Sequence, residues 1–274
     1  MTDMQTAAAT GSAGSTESAV SAVSAVAERV DVLGIHVSIT NLDHTIETFA
    51  RWIDHDAREL VCVTDMNALL HARADERLTE VYNTAGLTVP DGMPLVWAGR
   101  KAGFEQMDRV AGPDLLERVM AEAAERGWTQ YFYGGAEGVA EELRGVFQER
   151  HPALKVVGTE CPPYRQLTGA EDAAAVARMN EARPDIIWVG LGAPKQERWM
   201  ADHRDRLNAP ILIGVGAAFD FHTGRLDRAP LWMQRAGLEW SYRLYKEPRR
   251  LWKRYVLGIP RFLLGILRHP PRPL

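Results

Sequence analysis

Short apolar runs alternate with longer amphipathic stretches along most of this chain. Leu60-Val61-Cys62-Val63-Thr64, Gly86-Leu87-Thr88-Val89, Gln130-Tyr131-Phe132-Tyr133, Lys155-Val156-Val157-Gly158, Asp185-Ile186-Ile187-Trp188-Val189-Gly190 and Ile211-Leu212-Ile213-Gly214-Val215 all have strand length. Runs this apolar suit strands buried on both faces. Val30 to Val37 offers two shorter extended segments. Between the runs, apolar residues recur at helical spacing. Ile46, Phe49, Ala50 and Ile53 follow an Asn41 N-cap, and a helix is expected through Leu70, Ala74 and Leu78. Leu115, Leu116, Val119, Met120 and Ala123 follow Gly112-Pro113-Asp114, an Ala-rich helix fills 170–182, and another helix starts near Lys195. This alternation predicts an α/β fold: a Rossmann-like, mostly parallel sheet flanked by helices with right-handed crossovers.

The two ends break the pattern. Residues 1–28 are rich in Ala, Ser, Thr and Gly and read as a disordered leader. Residues 29–227 form the α/β core. Residues 228–274 read as a helical appendage dense in aromatic residues. Pro248 can open a helix on which Leu251, Trp252, Tyr255 and Val256 share one face, with Arg250, Lys253 and Arg254 towards the other.

Charge sharpens this division. The chain of 274 residues has a net charge of −4, which argues against general nucleic-acid binding. Yet Ser241 to Leu274 holds nine Lys/Arg and one acid, Glu247. Such a tail on an acidic body suits phosphate or an anionic membrane surface. Trp and Tyr beside Arg and Lys suit headgroup depth, although the same aromatics could fill an ordinary helical subdomain. The two cysteines, Cys62 and Cys161, form no disulfide framework or zinc pattern, so a reducing cytoplasm is expected. No signal peptide and no run of about 18 apolar residues is seen.

Candidate chemistry collects where strands end. In Pro90-Asp91-Gly92-Met93-Pro94, a carboxylate sits between a strand and a helix, where open α/β sheets bind ligands. Asp91 is either a helix N-cap or a reactive group. Thr64-Asp65-Met66-Asn67 and Gly192-Ala193-Pro194-Lys195-Gln196-Glu197 end two more strands and would share one cleft edge if the strands are neighbours. Gly134 and Gly135, with Gly138, form either a phosphate cradle at a helix N-terminus or a tight turn. Arg109 could pair with phosphate in the same cleft or form a surface ion pair with Asp108 or Asp114. Asp54-His55-Asp56 spells a metal-binding string but follows a helix, so it reads as a solvated helix end. Tyr133 to Gly138 with Glu160 partly matches a dinucleotide fingerprint, which leaves an NAD(P) oxidoreductase as an alternative. A non-catalytic membrane scaffold using the basic tail is a second one.

Several longer motifs together resemble the WecG/TagA/CpsF glycosyltransferase family. They are Pro-Asp-Gly-Met-Pro-Leu-Val-Trp at 90–97, Arg-Val-x-Gly-x-Asp-Leu at 109–115, Tyr-Gly-Gly-x-x-Gly-Val-Ala at 133–140 and Gly-x-Pro-Lys-Gln-Glu at 192–197. Gly-Val-Gly-Ala-x-Phe-Asp-Phe at 214–221, Arg-Ala-Pro-x-Trp at 228–232, Gly-Leu-Glu-Trp-x-Tyr-Arg-Leu at 237–244 and Glu-Pro-Arg-Arg at 247–250 extend the likeness. It covers roughly residues 30 to 264. The resemblance implies an inverting enzyme that moves a sugar (N-acetylmannosamine-type, hexose or uronic acid) from a UDP-sugar to a polyprenyl-diphosphate-linked saccharide. The setting would be bacterial surface polysaccharide, exopolysaccharide or teichoic acid assembly. It implies Asp91 as general base, Arg109 and Gln196 in the substrate pocket, and no cofactor or required metal. Arg243 and Arg250 would lie near the diphosphate, on a tail that closes the site and holds the enzyme to the cytoplasmic face of the membrane. Homo-oligomerisation stays open. One departure stands out: where the family carries Thr-x-Asn, this chain has Thr64-Asp65-Met66-Asn67. Counted from the helix, Asp65 takes the Asn position; counted from Thr64, Asn67 falls one residue late. The roles of Thr64 and Asn67 depend on that register, and the changed pocket leaves the identity of the sugar open.

Overall fold

The computed structural model describes residues 28–274; the expected leader lies almost wholly outside the described residues. Six parallel strands form the central sheet, in the order β4 (Leu87–Pro90), β3 (Glu59–Thr64), β8 (Ile211–Gly214), β7 (Ile186–Gly190), β5 (Thr129–Gly134) and β6 (Lys155–Glu160). A small antiparallel sheet joins β1 (Arg29–Val32), β2 (Ile35–Ser38) and β9 (Arg272–Pro273). The α/β, Rossmann-like expectation is therefore met, and all the apolar runs become strands. Both faces of the large sheet are covered. Cys62, Tyr131, Tyr133, Ile187, Val189 and Leu212 pack on one side. Val61, Phe132, Trp188, Ile211 and Ile213 pack on the other. This two-sided burial is why the strands lack an apolar–polar alternation.

Local signals explain most boundaries. Asn41 caps α1 (Leu42–Asp54) by accepting from His44 N at 3.0 Å. Asp54, His55 and Asp56 form the exposed end of that helix, as expected. The single helix expected through Leu70, Ala74 and Leu78 is instead two, α2 (Met66–Arg73) and α3 (Glu76–Thr84). Asp75 causes the break: its side chain accepts from Leu78 N at 3.1 Å and starts a new helix. The helices that frame the rest are α4 (Met93–Lys101), α5 (Gly112–Arg126), α6 (Val139–Arg150), α7 (Gly169–Ala182), α8 (Lys195–His203) and α9 (Ala218–His222).

The C-terminal segment folds back over the core. It comprises α10 (Leu231–Arg235), α11 (Glu239–Lys246) and the 21-residue α12 (Pro248–Arg268), followed by β9. Gly265 lets α12 lie close: a Cβ there would sit 3.0 Å from Leu33 Cδ1. β9 then pairs with β1, which the sequence reading did not include. Leu251 and Tyr255 face inward as expected, but Trp252 and Val256 are exposed. Arg254, expected on the outer face, turns inward.

Candidate active site

The parallel strands all present their C-terminal ends to one edge, and β3 and β4 are neighbours there. Asp91 N donates to Thr64 O at 2.9 Å, which continues the ladder one residue beyond β4. Asp91 is not the cap of the helix that follows it: Gly92 takes that position and no side chain caps α4. The carboxylate turns instead to α5, where its Oδ1 accepts from Gly112 N at 3.3 Å. Gly112 is the first residue of α5, so the carboxylate meets the positive end of that helix. A side chain at Gly112 would crowd Val215 O, 3.3 Å from a Cβ. Asp91 Oδ2 takes no hydrogen bond among the described residues.

Asp91 lines a cavity of about 640 Å³ between the core and the C-terminal segment. Its polar end gathers Asp65, Asp91 and Arg109 from the core with Glu239, Arg243 and Arg254 from α11 and α12. Two ion pairs join these parts. Arg109 Nη1 donates to Glu239 Oε2 at 2.9 Å, and Arg254 Nη2 donates to Asp65 Oδ2. Arg109 also reaches Asp114 at 3.3 Å, and Arg228 holds Asp114 from the other side at 2.6 Å. Asp65 Oδ1 remains on Ala68 N at 2.8 Å, so this one carboxylate caps α2 and anchors α12. Burial raises the Asp91 pKa to about 6, and the neighbouring Asp65 and Glu239 carboxylates add to the rise. Arg109 and Arg243 oppose it. A carboxylate with such a pKa is ionised at neutral pH yet basic enough to take a proton.

Asn67 and Arg243 also line this cavity, and the Arg243 guanidinium lies 5.6 Å from the Phe221 ring. Other sequence candidates lie elsewhere. The buried Thr64 hydroxyl donates to Cys62 O at 3.3 Å. Gln196 is buried at the β7 and β8 ends, with β8 standing between β3 and β7. Its amide is used internally: Oε1 accepts from Gly216 N at 2.9 Å, and Nε2 donates to Glu197 Oε1 at 2.9 Å. Burial pushes the Glu197 pKa up, and its Oε2 has no partner among the described residues. Gly134 and Gly135 make a tight turn against β7, where Gly135 N donates to Gly190 O at 2.9 Å. Their strand end is separate from the Asp91 cavity. Arg250 is exposed and pairs with Glu247. Glu160, the ribose ligand of the dinucleotide alternative, accepts from Arg178 at 2.7 Å.

A model described as the glycosyl transferase WecG/TagA/CpsF family matches residues 30–273. The chain belongs to this family. As a WecG/TagA/CpsF protein it is a glycosyltransferase. Among curated relatives, the N-acetylglucosaminyldiphosphoundecaprenol N-acetyl-beta-D-mannosaminyltransferase of Bacillus subtilis (strain 168) is 28% identical over 217 residues, covering 79% of this chain and 82% of that protein. The enzyme of the same name from Staphylococcus aureus (strain MW2) is 24% identical over 242 residues, covering 88% and 92%. In this WecG/TagA/CpsF chain, sequence reasoning put Asp65 on the cleft edge without giving it a role, and did not single out Glu239 or Arg254 as cavity residues. Asp65 carried a signal as the residue between Thr64 and the helix. Glu239 lay inside the 237–244 motif and Arg254 on the basic face of the tail, but which tail residues reach β3 is decided by tertiary packing.

Proposed function

We propose that this enzyme transfers a sugar from a UDP-sugar, of the N-acetylmannosamine type, to a saccharide carried on polyprenyl diphosphate, with inversion. The observation that supports this most is Asp91, with its raised pKa and an Oδ2 that has no hydrogen-bond partner among the described residues, facing a cavity that three arginines also line. The acceptor hydroxyl loses its proton to Asp91 as its oxygen attacks the anomeric carbon. The bond from that carbon to the UDP oxygen breaks, and UDP leaves with the electron pair. Arg109, Arg243 and Arg254 supply positive charge to the diphosphate groups. The relatives' name supports this reading: it gives an N-acetylglucosaminyldiphosphoundecaprenol acceptor and an N-acetyl-beta-D-mannosaminyl group as what is transferred.

The C-terminal segment gives two further supports. It contributes Glu239, Trp240, Arg243 and Arg254 to the cavity, so an enzyme with this segment displaced lacks part of its site. It also exposes Trp232, Tyr245 and Trp252 together with the cations Arg249 and Lys253, a composition suited to the headgroup region of the membrane that holds the acceptor. Among the described residues no helix is long and apolar enough to cross a membrane.

The test is direct. The enzyme is incubated with UDP-N-acetylmannosamine and a polyprenyl-diphosphate-linked N-acetylglucosamine, and the lipid product is weighed by mass spectrometry. A gain of one N-acetylhexosamine is expected. An unchanged acceptor across a panel of UDP-sugars would overturn the reading.

A further inference from the structure

The cavity is amphipathic along its length, and its apolar end has no part in the chemistry above. From the Asp91 end, α12 presents Tyr255, Ile259, Phe262, Leu263, Ile266 and Leu267 in turn to the cavity. These positions follow helical spacing, so they form one stripe about 18 Å long. Opposite them, α4 lends Met93, Trp97 and Ala98. Phe262 is buried, whereas Trp97 and Leu263 are each more than half exposed and Leu267 is 73% exposed. The wall thus runs from a charged floor to an open apolar lip.

We propose that this groove between α4 and α12 binds the first isoprene units of the acceptor's hydrocarbon chain. The inference rests on the lipid-diphosphate acceptor reading above. Charge selects the occupant: of the floor arginines, Arg109 and Arg254 are held by Glu239 and Asp65, whereas Arg243 has no carboxylate partner among the described residues and is the cation a diphosphate would meet; the hydrocarbon attached to that diphosphate must leave along the apolar stripe. A water-soluble substrate has no use for that stripe. Lys101 ends α4 about 12 Å from its first residue, and its stem can cover the lip with the ammonium in water.

The groove can be tested without turnover. Farnesyl diphosphate and methyl diphosphate share a headgroup and differ in chain. Their binding to the full-length enzyme is measured by calorimetry in lipid-free buffer, below the concentration at which farnesyl diphosphate forms micelles. Farnesyl diphosphate is expected to bind at least about tenfold tighter, since burying only two or three methylene groups supplies that factor. Leu263→Asp should remove the difference between the two ligands. Leu264→Asp, on an exposed residue outside the cavity, should keep it. Equal affinities in the wild-type enzyme, or equal effects of the two substitutions, would overturn the groove. Loss of sugar transfer with the chain preference intact would overturn the transferase reading and leave the groove standing.

Discussion

Arg109 Nη1 lies 2.9 Å from Glu239 Oε2, a contact that spans 130 residues and joins the core to the C-terminal segment across the cavity. Both side chains are largely buried, so the pair holds the segment in place more firmly than a surface ion pair would. Glu239→Gln leaves Arg109 its Asp114 partner. We expect a loss of about 1 kcal/mol in stability and faster tryptic cleavage after Arg243 or Lys246. Unchanged cleavage kinetics would mean that the pair does not hold the segment closed.

Asp65 lies on the strand end beside Asp91 and raises its pKa. The other charged groups acting on or from Asp91 are Glu239, Arg109, Arg243, Arg254 and Arg228. Asp65→Asn keeps a capping side chain for α2 and removes one negative charge. The Asp91 pKa should fall, and the acidic limb of the kcat/KM profile should move to lower pH by about half a unit to one unit. A limb that stays in place would show that Asp65 does not tune Asp91.

The raised pKa of Asp91 also affects stability. A carboxyl with a raised folded-state pKa favours the folded state while protonated. That advantage is complete below the unfolded value near 4 and is lost as pH rises through about 6. Asp91→Asn should therefore be more stable than wild type at pH 7, by up to about 3 kcal/mol. The gain should shrink towards pH 4. Thermal melts of both proteins across that range measure it.

Much of the fold was legible because buried parallel strands appear as unbroken apolar runs. The strand end at Asp91 was equally legible, since Pro90, Gly92 and Pro94 mark a turn before a helix. The sequence left open whether Asp91 was a cap. That depended on Gly112, 21 residues later, whose N–H draws the carboxylate away from α4. Arg254 was placed on the wrong face for a related reason. Helical periodicity reports where apolar residues lie, and it cannot anticipate that Asp65 on another element will bury an arginine.

Gly134 and Gly138 separate two uses of glycine in one motif. A Cβ at Gly134 would lie 2.6 Å from Gly190 C and O, at a φ of +129°. At Gly138, φ is +81° and nothing lies within 4 Å. Gly134→Ala should destabilise the protein by about 3 kcal/mol or more through backbone collision. Gly138→Ala should cost about 1 kcal/mol. Similar melting temperatures for the two variants would refute the close packing of β5 on β7.

The assignment of Asp91 as base is tested most directly by the turnover of Asp91→Asn beside its affinity for UDP. With the carboxylate gone and the arginines in place, kcat should fall by about 10²–10⁴-fold. The Kd for UDP should stay within about threefold of wild type. A kcat equal to that of the wild-type enzyme would contradict the assignment and leave Asp91 as a structural partner of Gly112.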